Sequence, residues 1–170
     1  MVKKLGIVVN PIAGIGGRIG LKGSDGYDVV KQALRLRAVP EAPARATSTL
    51  KHIASKLDFN LQIIAAPGIM GHQEVVNSGL SSEVTGIAAS RATSAEDTIK
   101  AASIIADLGV DLILFAGGDG TARDIHKAID DKIPALGIPA GVKMHSAVYA
   151  TNPRAAADVA IKFLRNQITN

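Results

Sequence analysis

The stretch that decides the fold runs from Val110 to Thr121, VDLILFAGGDGT. A short apolar run, Asp111–Phe115, meets Gly117-Gly118-Asp119-Gly120-Thr121, and a helical pattern over Ala122–Asp131 follows. A continuously apolar run of this length reads as a strand covered on both faces. The glycines read as a sharp turn, and the whole as one strand-turn-helix unit. Four further runs of the same kind occur: Leu5–Val9, Leu61–Ala65, Val84–Ala88 and Ala135–Ile138. Helical patterns lie between and after them, at Asp28–Arg37, Ala44–Lys56, His72–Ser78, Ala95–Leu108, Met144–Ala150 and Ala155–Arg165. The clearest begins at Ser94, with Glu96 and Asp97 in its first turn and Ile99, Ala102, Ile105 and Ala106 on one face. Alternating strands and helices call for a mainly parallel sheet with right-handed crossovers, a doubly wound, three-layer α/β domain. Strand order is not legible in the pattern.

Composition narrows the function classes. The chain has 170 residues, 47% hydrophobic and 20% charged, the balance of one globular domain with a full core. Its net charge of +4 is spread along the chain, and only 3% of residues are aromatic. Neither a clustered basic face nor stacking platforms are present, so no nucleic-acid partner is expected. No cysteine occurs, which removes disulfides and thiolate chemistry and permits a reducing cytoplasm. The apolar run after Lys3-Lys4 is too short for a signal-peptide core. No segment approaches the roughly 18 to 20 apolar residues of a membrane helix, so no membrane partner is expected and the location expected is cytoplasmic.

Ligands of open α/β sheets bind beyond the carboxyl ends of the strands. Three strand ends carry unusual sequence. At Gly117–Thr121, glycines let backbone N–H groups approach a ligand, and the following helix start adds the positive end of its dipole. Asp119 beside such an anion cradle would repel phosphate unless it binds a metal, accepts a proton or orients a hydroxyl. The alternative is a plain turn with Asp119 capping the helix. At Asn10-Pro11-Ile12-Ala13-Gly14 begins a loop with six glycines between Gly14 and Gly26, suited to folding over a polyphosphate or simply to a surface loop. At Ala140-Gly141-Val142-Lys143-Met144-His145-Ser146, Lys143 and Ser146 are within reach of a phosphate, while Lys143 also reads as a solvated surface residue. Familiar templates fail. No glycine loop continues into Lys-Ser or Lys-Thr, Ile19 stands where GxGxxG needs its third glycine, and neither GxSxG nor HExxH occurs.

Together these motifs resemble a family. Gly117–Thr121 is similar to the GGDGT signature shared by NAD kinases, diacylglycerol kinases and sphingosine kinases, and Asn10-Pro11 with Gly14 resembles their Asn-Pro loop. Phe115–Ile125 (FAGGDGTARDI), Gly137–Ala147 (GIPAGVKMHSA), Thr93–Thr98 (TSAEDT) and Pro67–Gly71 (PGIMG) resemble the ATP-NAD kinase-like branch that includes the acetoin-catabolism X proteins.

The resemblance implies a Rossmann-like nucleotide-binding domain over residues 1–170 that takes ATP or polyphosphate with Mg2+, and NAD as a phosphoryl acceptor. It implies that Gly117, Gly118, Gly120 and Thr121 cradle phosphates and that Asn10, Gly14 and Thr93 contact the nucleotide, with Gly141, Lys143 and Ser146 on the neighbouring loop. Asp119 is the expected catalytic residue, as base, hydroxyl-orienting group or metal-placing group; Asp124 is a candidate second carboxylate. Relatives of this kind carry a β-rich second domain that completes the acceptor site, and it is expected to be absent from this chain. A nucleotide-binding or regulatory module without turnover is therefore the alternative to a kinase, and a half-cleft of this kind is expected to self-associate as a homo-oligomer.

Overall fold

Alternation along the first strand shows why the apolar runs are continuous. Leu5, Ile7 and Val9 pack into one hydrophobic cluster and Val8 into another, so both faces of the strand are buried. The structure, a computed structural model, describes residues 2–15, 38–85, 93–141 and 144–169. The helix expected at Asp28–Arg37 and most of the glycine-rich loop lie outside these residues.

Five strands, β1 (Lys3–Val9), β2 (Leu61–Ala65), β3 (Glu83–Val84), β4 (Leu112–Gly117) and β5 (Ala135–Pro139), form one sheet in the order β3-β2-β1-β4-β5. Every neighbouring pair is parallel. Helices α1 (Ala42–Lys56), α2 (His72–Asn77) and α5 (Pro153–Leu164) cover one face. Helices α3 (Ala95–Asp107) and α4 (Asp119–Ile129) cover the other, giving the expected three layers. Among the described residues no helix is long and apolar enough to cross a membrane.

Local signals set the helix ends. Ser94 caps α3 in a reciprocal box: the Asp97 N–H donates to Ser94 Oγ at 3.3 Å, and the Ser94 N–H donates to Asp97 Oδ2 at 2.8 Å. Helices α1 and α5 begin earlier than the sequence pattern suggests, because Pro43 and Pro153 stand in the first turn, where a missing N–H costs no helical bond.

One expected helix is absent. Met144–Ala150 forms a turn and an isolated parallel bridge between Tyr149 and Gly137. Gly137 donates to the Val148 carbonyl at 2.9 Å and accepts from the Ala150 N–H at 3.0 Å, so this segment lies along the outer edge of β5. A seven-residue helical pattern is too short to stand without such support, and tertiary pairing overrides it.

Among the described residues, two buried side-chain oxygens are left without a hydrogen-bond partner, Thr85 Oγ1 and Glu74 Oε2. Glu74 lies on α2 and is 4% exposed. Burial pushes its carboxyl from 4.5 up to about 7, against the opposing pull of its own backbone N–H. The folded state therefore holds a proton that the unfolded chain releases, and stability falls as pH rises from about 4.5 towards 7. Urea unfolding at pH 5 and pH 8 is expected to show this loss, and Glu74→Gln is expected to flatten it. Equal slopes in both proteins would place the buried proton elsewhere. Ile105→Ala, which empties a fully buried contact between α3 and the sheet, is expected to cost roughly 2–5 kcal/mol. Leu108→Ala, at the exposed end of the same helix, is expected to stay within about 0.5 kcal/mol.

Candidate functional site

Winding of the sheet reverses between β1 and β4. These strands pair Val9 with Ala116, so their carboxyl ends open side by side. Ligands of doubly wound sheets bind at such a switch point. The Asn10 N–H donates to the Ala116 carbonyl at 2.9 Å. Its side-chain Nδ2 donates to Thr121 Oγ1 at 3.0 Å, and its Oδ1 accepts from the Ile12 N–H at 3.2 Å. Thr121 is 3% exposed. Asn10 and Thr121, separated by most of the domain in sequence, thus join the two loops into one unit.

The glycines serve this unit differently from the expectation. None of Gly117, Gly118 and Gly120 has positive φ, so no left-handed turn is needed here. A Cβ on Gly117 would overlap the Thr121 side chain; the glycine is there to let the helix start pack against the strand end. Gly118 is extended, at φ −109° and ψ −174°, and a Cβ there would meet nothing within 4 Å. Among the described residues, no packing contact demands glycine at 118. Gly14 does have φ +80°, and its backbone lies against the Ala140 carbonyl, which ties the Asn10 loop to the end of β5. Arg45 reinforces that edge by donating to the Pro139 carbonyl at 2.9 Å and to Glu41 Oε2 at 2.6 Å.

Helix α4 is capped by Gly118, without a side-chain cap, and Asp119 is its first residue. The N–H groups of Asp119, Gly120 and Thr121 have no carbonyl one turn back, as at any helix start, and lie at the positive end of the dipole. The reading of Asp119 as the helix cap is corrected: its carboxylate reaches to the neighbouring loop instead. Oδ2 accepts from the His145 N–H at 3.0 Å, and Oδ1 accepts from the Ser146 N–H at 3.1 Å. Partial removal from water works to raise its pKa. The Ser146 and His145 N–H groups, with the charges of His145 and Arg123, outweigh this and hold the carboxyl below its ordinary value. Tyr149 closes the same junction: its phenol donates to the Gly118 carbonyl at 2.5 Å.

Other expected residues divide. Gly141 stands half-buried just past β5, where the Ala140 N–H bonds the Gly117 carbonyl at 3.1 Å. Ser146 reaches the site through its N–H, while its hydroxyl accepts from the Val148 N–H at 3.4 Å. Thr93 is half-exposed just before the cap of α3 and makes no hydrogen bond to the other candidates among the described residues. Lys143 lies outside the described residues. Asp124 is five residues beyond Asp119, about 140° around the helix, so the two carboxylates do not converge. Desolvation, opposed by Arg123 and Lys127, raises the Asp124 pKa. Tyr149 and Arg45 were missed by sequence reasoning. Tyr149 falls inside a stretch read as helix, and Arg45 carries no motif.

A cleft of about 810 Å3 runs along α4 from Asp119 to Ile129, over Phe115, Ile125 and Val148. No group of three acidic or histidine side chains stands together among the described residues. Asp119 offers one carboxylate here, and Mg2+ is commonly bound through one or two carboxylates together with ligand phosphates.

No curated protein matches the sequence significantly. Among solved structures, UDP-GlcNAc 2-epimerase from Neisseria meningitidis bound to UDP-GlcNAc is similar over 99% of this chain and 44% of its own, with 12% identity and a TM-score of 0.44. This chain spans less than half the length of that structure, and so distant a likeness carries nothing about function. The ATP-NAD kinase N-terminal domain family matches residues 5–168, nearly the whole chain, and the chain belongs to that family.

Proposed function

We propose that this chain supplies the phosphate-handling side of a phosphotransferase. Such an enzyme would move the terminal phosphoryl group of ATP, or of polyphosphate, to a hydroxyl of a nucleotide acceptor such as NAD. The observation that carries this reading is the Asn10–Thr121 bridge at the switch point, which holds the free N–H groups of α4 beside Asp119. The GGDGT resemblance of Gly117–Thr121, and the wider likeness to the branch that includes the acetoin-catabolism X proteins, point to the same chemistry.

In this reading each residue has a role. Phosphates carry negative charge, and the free N–H groups at the start of α4, beside the bare backbone of Gly118, would offer them donors. Asn10 fixes Thr121 and thereby the pitch of those donors. Mg2+, when bound with the donor, neutralises charge between phosphates. In transfer, the acceptor oxygen forms a bond to the terminal phosphorus as the bridging P–O bond to the leaving diphosphate breaks. Asp119 takes the acceptor's hydroxyl proton or orients that hydroxyl. Its lowered pKa keeps it ionised, which suits orienting the hydroxyl better than taking its proton, because a general base works best with a pKa near the working pH.

A second reading has its own observation. Both Asp119 oxygens are engaged by His145 and Ser146 N–H groups, an arrangement that also suits a binding module without turnover.

The experiment is a phosphoryl-transfer assay with ATP-Mg2+ and NAD, run beside thermal-shift titrations, on wild type and Asp119→Asn. Wild type is expected to gain melting temperature with ATP-Mg2+ and to form product. Asp119→Asn keeps an acceptor oxygen for the loop and is expected to fold, with transfer reduced about 100- to 10,000-fold. Binding without product in wild type favours the regulatory module. Product from Asp119→Asn at the wild-type rate rules out the role of Asp119.

A further inference from the structure

We propose that Tyr149 is a positioning residue for the phosphate loop: by gripping the Gly118 carbonyl it fixes the direction in which the Asp119 N–H points. This rests on the phosphate-binding reading given above.

The Gly118 carbonyl accepts twice, from the Tyr149 hydroxyl at 2.5 Å and from the Ala122 N–H at 3.0 Å. Both of its lone pairs are therefore committed. A trans peptide is planar, so the N–H of Asp119 lies opposite that carbonyl. With the carbonyl held from two sides, this N–H cannot swing about the Gly118 backbone. Gly118 needs such an external hold, since it has no side chain, and among the described residues nothing lies within 4 Å of where a Cβ would stand.

Tyr149 is itself well anchored. Its ring meets Phe115 edge to face, with centroids 5.5 Å apart and planes at 65°. Its backbone is flanked by the Gly137–Val148 and Gly137–Ala150 hydrogen bonds. The segment is fastened at a second point, where the His145 and Ser146 N–H groups donate to Asp119. The grip on Gly118 thus comes from an element pinned to β5 rather than from a free loop. Burial first, then the charge of Asp119, raises the phenol's pKa, which keeps it a donor across the ordinary pH range.

The test is Tyr149→Phe in the full chain, which keeps the ring on Phe115 and removes only the hydroxyl. Amide hydrogen exchange without ligand is read first. The Ala122, His145 and Ser146 amides are expected to lose protection about three- to tenfold, the scale of one hydrogen bond, while amides of β1 and β4 stay unchanged. ATP-Mg2+ affinity is expected to weaken by a similar factor, and in transfer the donor KM to rise with kcat little changed. Unchanged protection at Ala122 would overturn the proposal, as would an equal loss across β1 and β4, which marks general destabilisation. Local loosening with unaltered ATP-Mg2+ affinity would also overturn the positioning role. If wild type binds no ATP-Mg2+, the nucleotide reading fails and this role for Tyr149 falls with it. The exchange data then still report whether the grip on Gly118 exists.

Discussion

The pairing of β1 with β4 is the constraint on which the rest of the molecule depends. It sets Val9 beside Ala116 and so brings the end of the first strand against the end of the fourth. Strands β2 and β3 extend the sheet on one side of this pair, and β5 on the other. Right-handed crossovers then place α1 and α2 on one face and α3 and α4 on the other, and α5, which follows the last strand, packs beside α1. The reversal of winding leaves a crevice above β1 and β4, where no helix can cross. Asn10 and Thr121 meet there because the two strand ends are neighbours.

From this position the chemistry follows by short steps. Gly117 lets α4 begin directly against the strand, with Thr121 packed where a side chain on Gly117 would stand. The helix therefore starts at Asp119, and its first N–H groups, which have no carbonyl one turn back, lie next to the carboxyl end of β4. The carboxylate of Asp119 is turned to the loop beyond β5 rather than to its own helix. Three strand ends, those of β1, β4 and β5, are in this way tied to one another through side chains and backbone. A ligand entering the crevice meets donors that already have their direction, which lowers the ordering cost of binding.

Much of this was legible in the sequence, and the exceptions share physical causes. Leu61–Ala65 matches its strand end to end, and Leu5–Val9 and Ala135–Ile138 fall within theirs, because buried parallel strands are continuously apolar. Of Val84–Ala88, only Val84 is found in a described strand, and residues 86–88 lie outside the described residues. The starts of α1 and α5 were read too late, since proline in a first turn looks like a break. The start of α4 was read three residues late, since Gly-Asp-Gly looks like a turn. At the site, Asn10, Gly117, Gly118 and Asp119 announced themselves through motif and position. Tyr149 did not, because its partner is a backbone carbonyl 31 residues away, and nothing local marks such a bond. Met144–Ala150 shows the same limit: its helical spacing is real, but the edge of β5 offers it better hydrogen bonds.

The proposed seat of an anionic nucleotide is the β1–β4 switch point, against the start of α4. The most direct measurement is amide chemical-shift mapping of the full chain during titration with ATP-Mg2+. Saturable shifts are expected to concentrate on Gly118, Asp119, Gly120 and Thr121, with Asn10 and Ile12 following. Shifts confined to other surfaces, or none at saturating nucleotide, would contradict it.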